Sequence, residues 1–218
     1  ALAKAISTHG EDAIAQLHAL SGEVSNQVAY ETGRTHVRTT AEGVLEQGKG
    51  VCQDHVHVFL SAARVLGFPA RYVPIMNAMQ GDPDAEAARA VALRARTTPK
   101  LDLGRAKLFT DGAIQGGTAK LKAPGYFAME DHGIWNMEIE HFRAAAKALH
   151  RAGVKTHVHT NGDAASELAI EVYTEACRDA PDADHRHTLE HVQLAGIDQF
   201  KRMRALGLTV NIFTNHVH

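Results

Sequence analysis

From residue 84 onward the chain alternates between helical and extended periodicity, and that alternation constrains its fold more than any other feature. Apolar positions recur at three- and four-residue spacing in Asp84–Arg96, Asn136–Ala152, Ala164–Ala180 and Ile197–Leu206. Between them lie short β-like segments at Ala106–Phe109, Lys155–Thr160, His187–His191 and Leu208–Thr214. Strands separated by helices of 10–17 residues need right-handed crossovers, so they predict a parallel sheet with helices packed on it. An open doubly wound sheet and part of a (β/α)8 barrel both satisfy this pattern.

The earlier residues read differently. A helical pattern covers residues 10–33 through Ile14, Leu17, His18, Leu20 and Val24, and a polar loop holds Thr39, Thr40 and Gly43. A second helical pattern starts at Cys52, runs through Val56, Phe59, Leu60, Ala63 and Leu66, and stops at Gly67 with Pro69 just beyond. Arg71 to Ala78 forms a short β-like run.

Charge and composition exclude several partners. With 23 basic against 25 acidic side chains and a net charge of −2, the chain has no basic excess to release counterions, which excludes a nucleic-acid partner. No apolar run approaches the ~20 residues that span a bilayer, so no membrane partner is expected. Two cysteines, Cys52 and Cys177, are too few for a disulfide framework and fit a reducing, cytoplasmic setting. No signal-peptide pattern is visible, and the start at Ala1 rather than at methionine reads as a fragment or a processed chain. The chain carries 15 histidines, and such an excess points to metal binding or proton transfer.

Those histidines gather at the ends of the β-like segments, where an α/β barrel places its chemistry. Period-two alternation puts Lys107 and Asp111 on one side of their strand, His157 and His159 on one side of the next, and His187 and His191 on one side of the third. Imidazole and carboxylate donors in one place suit zinc or a similar borderline cation. Taken singly, each histidine could equally cap a strand or hydrogen-bond within the core. Met76, Met79 and Met129 read as core filler.

The same stretch carries a resemblance. AKLFTDGAIQGGTAKLKAPGY at 106–126, THVHTNGDAA at 156–165, RHTLEHVQL at 186–194 and LGLTVNIFTNHVH at 206–218 resemble, in order and spacing, the amidohydrolase superfamily. The likeness is to the amidohydrolase-3 group that includes N-substituted formamide deformylases, and it covers residues 74–218. It implies a partial (β/α)8 TIM-barrel-like segment of about strands 3–7 and a metal-dependent hydrolase acting on a non-peptide amide or related C–N bond of a small-molecule substrate. Through the resemblance His159 and His191 take the places of the fifth- and sixth-strand metal ligands. Lys107 takes that of the fourth-strand lysine, carbamylated in many members so that it offers anionic oxygen to one or two divalent ions, expected to be zinc. Asp163 orients a ligand or caps the following helix. The family's first-strand His-x-His and eighth-strand aspartate have no counterpart here, which implies impaired activity, and the exposed edges of a partial barrel imply self-association.

Residues 1–73 resemble another family. GKGVCQDHVHVFLSAARVLGFPARYV at 48–73 is similar to bacterial transglutaminase-like proteins of papain-type α+β architecture, and the resemblance makes Cys52 the nucleophile of an acyl-transfer or peptidase reaction. A thiol at a helix start gains from the backbone dipole, but no partner His–Asp pair follows in a matching context. His55-Val56-His57 imitates a first-strand His-x-His, yet the helical spacing around it places residues i and i+2 on different faces. His216 and His218 repeat the tripeptide at the chain end. The two patterns meet near residues 69–74 without a polar linker. An inactive chimeric fragment is therefore a third expectation beside the metal hydrolase and the cysteine enzyme.

Overall fold

In the computed structural model the described residues are 12–36, 38–69, 75–78, 80–127 and 132–212. Met79, Met129, His216 and His218 lie outside them, as does the side chain of Met76. The chain divides into two compact units, Ala1–Tyr72 and Val73–His218.

The first unit is mostly helical. Helix α1 (Ala13–Gln27) starts where Asp12 accepts the Ile14 N–H at 2.9 Å, and it ends before the predicted residue 33 because Val28 turns extended. Two short strands follow its course, β1 (Ala29–Tyr30) and β2 (Lys49–Gly50), paired in parallel. Between them lies helix α2 (Ala41–Gln47), in part of the stretch read as a polar loop. Thr40 caps it by accepting the Gly43 N–H at 3.1 Å, and Gly48 closes it in the left-handed region at φ 62°. Seven residues are too few for apolar periodicity to reveal a helix. Helix α3 (Cys52–Val65) carries His55 and His57, as its spacing requires. Leu20, Val24, Val28, Val44, Val58 and Ala63 form this unit's core.

The second unit is a parallel α/β layer structure. Its elements are β3 (Ile75–Asn77), α4 (Pro83–Arg94), β4 (Arg105–Phe109), α5 (Ile139–Arg151), β5 (Thr156–Thr160), α6 (Asp163–Asp179), β6 (Thr188–His191), α7 (Ile197–Leu206) and β7 (Thr209–Ile212). The five strands pair in parallel in the order β3-β4-β5-β6-β7, so position in the sheet follows position in the chain. A doubly wound sheet reverses direction at a switch point, and these five strands contain no reversal.

Alternation then sorts the side chains. Ala106, Leu108, Val158 and Leu189 point into a core shared with Phe142, Leu149, Ile170, Tyr173 and Met203 from the helices. Each large side chain so buried contributes about 1.5–3 kcal/mol. Arg105, Lys107, Phe109, His157 and His159 alternate with them and occupy the other, partly open face.

Candidate functional site

Strand register sets the spacing on the open face. Lys107 lies level with His157, Phe109 with His159, His159 with Glu190, and Glu190 with Asn211. Parallel partners share a face, and the side chains meet accordingly. His157 Nδ1 lies 2.7 Å from Glu190 Oε1, and Asn211 Nδ2 donates to Glu190 Oε2 at 2.7 Å. An Arg105 nitrogen reaches His157 Nε2 at 3.5 Å. Burial pushes the Glu190 carboxyl up, but bonds from His157 and Asn211 and the charge of Lys107 outweigh it, so Glu190 titrates below the usual range. Burial lowers Lys107 below an ordinary lysine, against the pull of the Glu190 charge. The Lys107 ammonium stands 5.1 Å from the centre of the Phe109 ring, which stacks on His159 at 5.3 Å.

His191 reaches this face by another route. Its register partner is Thr160, so strict alternation sends it to the helix-packed side with Leu189. The backbone at His191 and Val192 is left-handed instead, with φ 74° and 44°, a conformation rare for residues with a Cβ and rarer still for a β-branched one. The alternation breaks there, and the His191 ring meets His159 edge-on with centres 4.8 Å apart. His187, expected on the same side as His191, is a correction: it is buried on the helix-packed face among His150, His185 and Tyr173.

Asp111 holds the strand ends together. Its carboxylate is fully buried and accepts backbone N–H groups from Lys120 at 2.9 Å, Asn161 at 3.0 Å and Gly162 at 2.7 Å. Burial pushes its carboxyl up while those three amides and His159 pull it down. The clasp demands close approach at Gly162, where a Cβ would lie 1.8 Å from the Lys120 carbonyl oxygen. It also fixes Gly112 and Asn161 beside the site: His159 Nε2 is 2.9 Å from Gly112 O and 3.0 Å from Asn161 Nδ2. The Asn161 side-chain oxygen is buried with no hydrogen-bond partner among the described residues. Asp163 accepts the N–H of Lys122 at 2.9 Å, tying the same loop to the start of α6. Glu190, Asn211 and Asn161 were not singled out from sequence. The alternation signal was present for Glu190, whereas the clasp depends on loop geometry.

The donor set fits a divalent metal with one condition. His159 and His191 supply the imidazoles that zinc-like ions prefer, and the orphaned Asn161 oxygen is a neutral acceptor nearby in sequence and contact. Lys107 offers nitrogen of lowered basicity and becomes an anionic oxygen donor only when carbamylated. Among the described residues, no group of three His, Cys, Asp or Glu side chains stands close enough to hold a metal ion.

Cys52 is the first residue of α3 and is exposed, so it is not a buried structural cysteine. Two polar groups on the same turn, Asp54 and His55, are already engaged. Asp54 accepts the Val51 N–H at 2.7 Å and the Thr35 hydroxyl at 2.6 Å. Both ring nitrogens of His55 face carbonyl oxygens, Val51 O at 2.9 Å and Val28 O at 2.8 Å, which leaves no nitrogen to serve the thiol.

Two kinds of likeness overlap on the chain. Residues 1–98 match the family model of the transglutaminase-like superfamily. That match runs through β3 and α4, although β3 is hydrogen-bonded to β4 and so belongs physically with the sheet. Protein LONG AFTER FAR-RED 3 of Arabidopsis thaliana is 23% identical over 117 residues, covering 54% of this chain and 20% of that protein. Two uncharacterized metal-dependent hydrolases, from Pyrococcus furiosus and Pyrococcus horikoshii OT3, share the fold with TM-scores of 0.54 and 0.54. Their identities are 17% and 18%, over 96% of this chain but only 40% and 39% of theirs. The chain therefore spans about two-fifths of those hydrolases and a fifth of the curated relative. No helix among the described residues is long and apolar enough to cross a membrane.

Proposed function

We propose that residues 74–218 are part of a barrel-type metal-dependent amidohydrolase that acts on a non-peptide amide or related C–N bond of a small molecule. The observation that carries this reading is the meeting of the His159 and His191 rings at 4.8 Å, at the end of a parallel sheet whose neighbouring strand carries Lys107 on the open face. Strands in chain order without reversal support a barrel over an open doubly wound sheet. Lys107, His159 and His191 are the proposed ligands, and a bound ion would supply a polarised carbonyl and an activated water. The chain's own residues prepare the place. Burial favours the neutral Lys107 amine, the form that takes up carbon dioxide, and the Asp111 clasp positions Gly112 and Asn161 around His159. The test is the metal-to-chain ratio of the purified protein by elemental mass spectrometry, beside a His159→Ala/His191→Ala variant of unchanged circular dichroism. A ratio of one or two that collapses in the variant supports the reading. No bound metal in either protein removes it and favours an inactive chimeric fragment.

The transglutaminase-like match over residues 1–98 favours a second reading, cysteine acyl transfer at Cys52. It requires a base from outside His55, whose nitrogens are both engaged. Loss of an amide-transfer activity on thiol alkylation, with indifference to chelators, supports this reading, and an unreactive Cys52 at neutral pH removes it.

A further inference from the structure

The buried histidines on the helix-packed face form a chain whose proton positions follow from its ends. The Thr156 N–H donates to His187 Nδ1 at 3.2 Å, so that nitrogen is an acceptor and the proton of a neutral ring sits on Nε2. His187 Nε2 therefore donates to His150 Nδ1 at 2.8 Å, and His150 Nε2 donates to Ala180 O at 2.7 Å. The His187 N–H donates to His185 Nδ1 at 3.0 Å, and His185 Nε2 donates to Leu206 O at 2.8 Å. Tyr173 completes the set: its hydroxyl donates to Thr156 Oγ1 at 2.5 Å, which in turn donates to His187 Nδ1 at 2.7 Å. All three imidazoles are neutral, all carry hydrogen on Nε2, and every ring nitrogen is used.

We propose that His150, His187 and His185 form a proton-refusing latch that fastens the start of β6 to α5, α6 and the end of α7 and lends the fold less stability as pH falls, because the unfolded chain takes up a proton that the latched rings exclude. A proton added to Nδ1 of any ring sets a donor against the donor it faces: the Thr156 amide for His187, His187 itself for His150, the His187 amide for His185. Among the described residues no carboxylate hydrogen-bonds to these rings to receive the extra charge. The titratable groups that bear on His187 are His150 on α5, Tyr173 on α6, His185 on its own loop and His157 on β5. Farther out, Cys177 bears on Tyr173 and Asp182 on Cys177, and the Asp184 carboxylate, paired with Arg186 and acted on by Lys155, also interacts with His185. Burial comes first, and any positive charge on His185, His150 or His157 adds to it, pushing His187 from 6.5 down to about 3.

The sign follows from linkage. Between those values the unfolded chain binds a proton that the folded chain refuses, so the latch holds fully above about pH 6.5 and weakens as pH falls.

The experiment uses the full chain. Imidazole nitrogen NMR from pH 7.5 to 5 should show hydrogen on Nε2 in all three rings, with His187 neutral throughout. Urea unfolding followed by Trp135, the single tryptophan and packed on this core, should show the unfolding constant rising about tenfold from pH 6 to pH 5. His187→Gln, which keeps a donor and an acceptor but takes up no proton, should flatten that rise. A His187 ring that protonates near 6.5 in the folded chain overturns the latch, as does an unchanged rise in His187→Gln. If the variant fails to fold, the titration of the natural chain decides by itself.

Discussion

Two sets of histidines lie on opposite faces of one sheet, and their difference shows how strand alternation assigns chemistry. His150, His185 and His187 lie behind it, where each nitrogen meets a backbone group, a hydroxyl or another ring. His157, His159 and His191 lie in front, where the partners are a carboxylate, a loop carbonyl and one another. Both faces use the same residue type, the front set on β5 and β6 and the rear set on α5 and the segment leading into β6. The rear set is consumed by structure, while the front set is half-buried around groups that could take a ligand.

Removing His187 is the strongest way to break this comparison. His187→Ala empties a site that is 1% exposed and strands the Thr156 amide and His150. We expect a loss of about 4 kcal/mol from the cavity and the unsatisfied groups together, measured by urea unfolding at pH 7. His191→Ala at the front should cost far less, because that ring is only partly buried and the substitution leaves the left-handed backbone strain unchanged. Equal losses from the two substitutions would erase the distinction between the faces.

The Asp111 clasp ranks next. Asp111→Asn replaces one acceptor oxygen by a donor opposite an amide of Lys120, Asn161 or Gly162, at an expected cost of about 2 kcal/mol. Thermal unfolding measures that loss. If the front face holds metal, the metal-to-chain ratio should fall as well, since Gly112 and Asn161 lose their fixed places about His159.

How much of this was legible in the sequence depends on the length scale of each cause. The β and α elements of the second unit follow from periodicity, and their boundaries shift by only a few residues. Helix α2 escaped because seven residues cannot display a period, although Thr40 and Gly48 flank it with sound capping chemistry. Alternation placed Lys107, His157 and His159 on one face of the sheet. It failed for His187 and His191, which share parity yet face opposite ways, because the left-handed turn at His191 and Val192 uses no glycine and leaves no mark in the sequence. The Asp111 clasp joins residues 50 positions apart through backbone amides, which residue identity does not announce.

Glu190→Gln sharpens the front face with a smaller effect. The charge that raises Lys107 disappears, so Lys107 should titrate lower still, read by the pH dependence of its acylation. Stability from Glu190 is present above its ordinary value of 4.5 and is lost as pH falls through its lowered folded value. The substitution should therefore cost about 1 kcal/mol at pH 7, because the cost of burying the charge offsets much of what its bonds contribute, and nothing at low pH.

The smallest effect is expected where partners are many but solvent is near. Glu167 on α6 binds Arg202, Lys122 at 2.9 Å and Gln199 at 3.0 Å, and burial is outweighed by these bonds so that it titrates at about 2. Its lowered value means that the stabilisation is present above pH 4.5 and is lost between 4.5 and about 2. Taken at face value the shift suggests a large contribution. Exposure of Lys122 and Arg202, at 46% and 45%, argues otherwise, because water screens the charges and two long side chains lose freedom. Glu167→Gln should cost below ~1 kcal/mol at pH 7, less still in high salt, with urea unfolding at two salt concentrations as the measurement. A loss rivalling that of His187→Ala would mean that charge pairing across the helix layer, rather than the neutral network behind the sheet, holds this unit together.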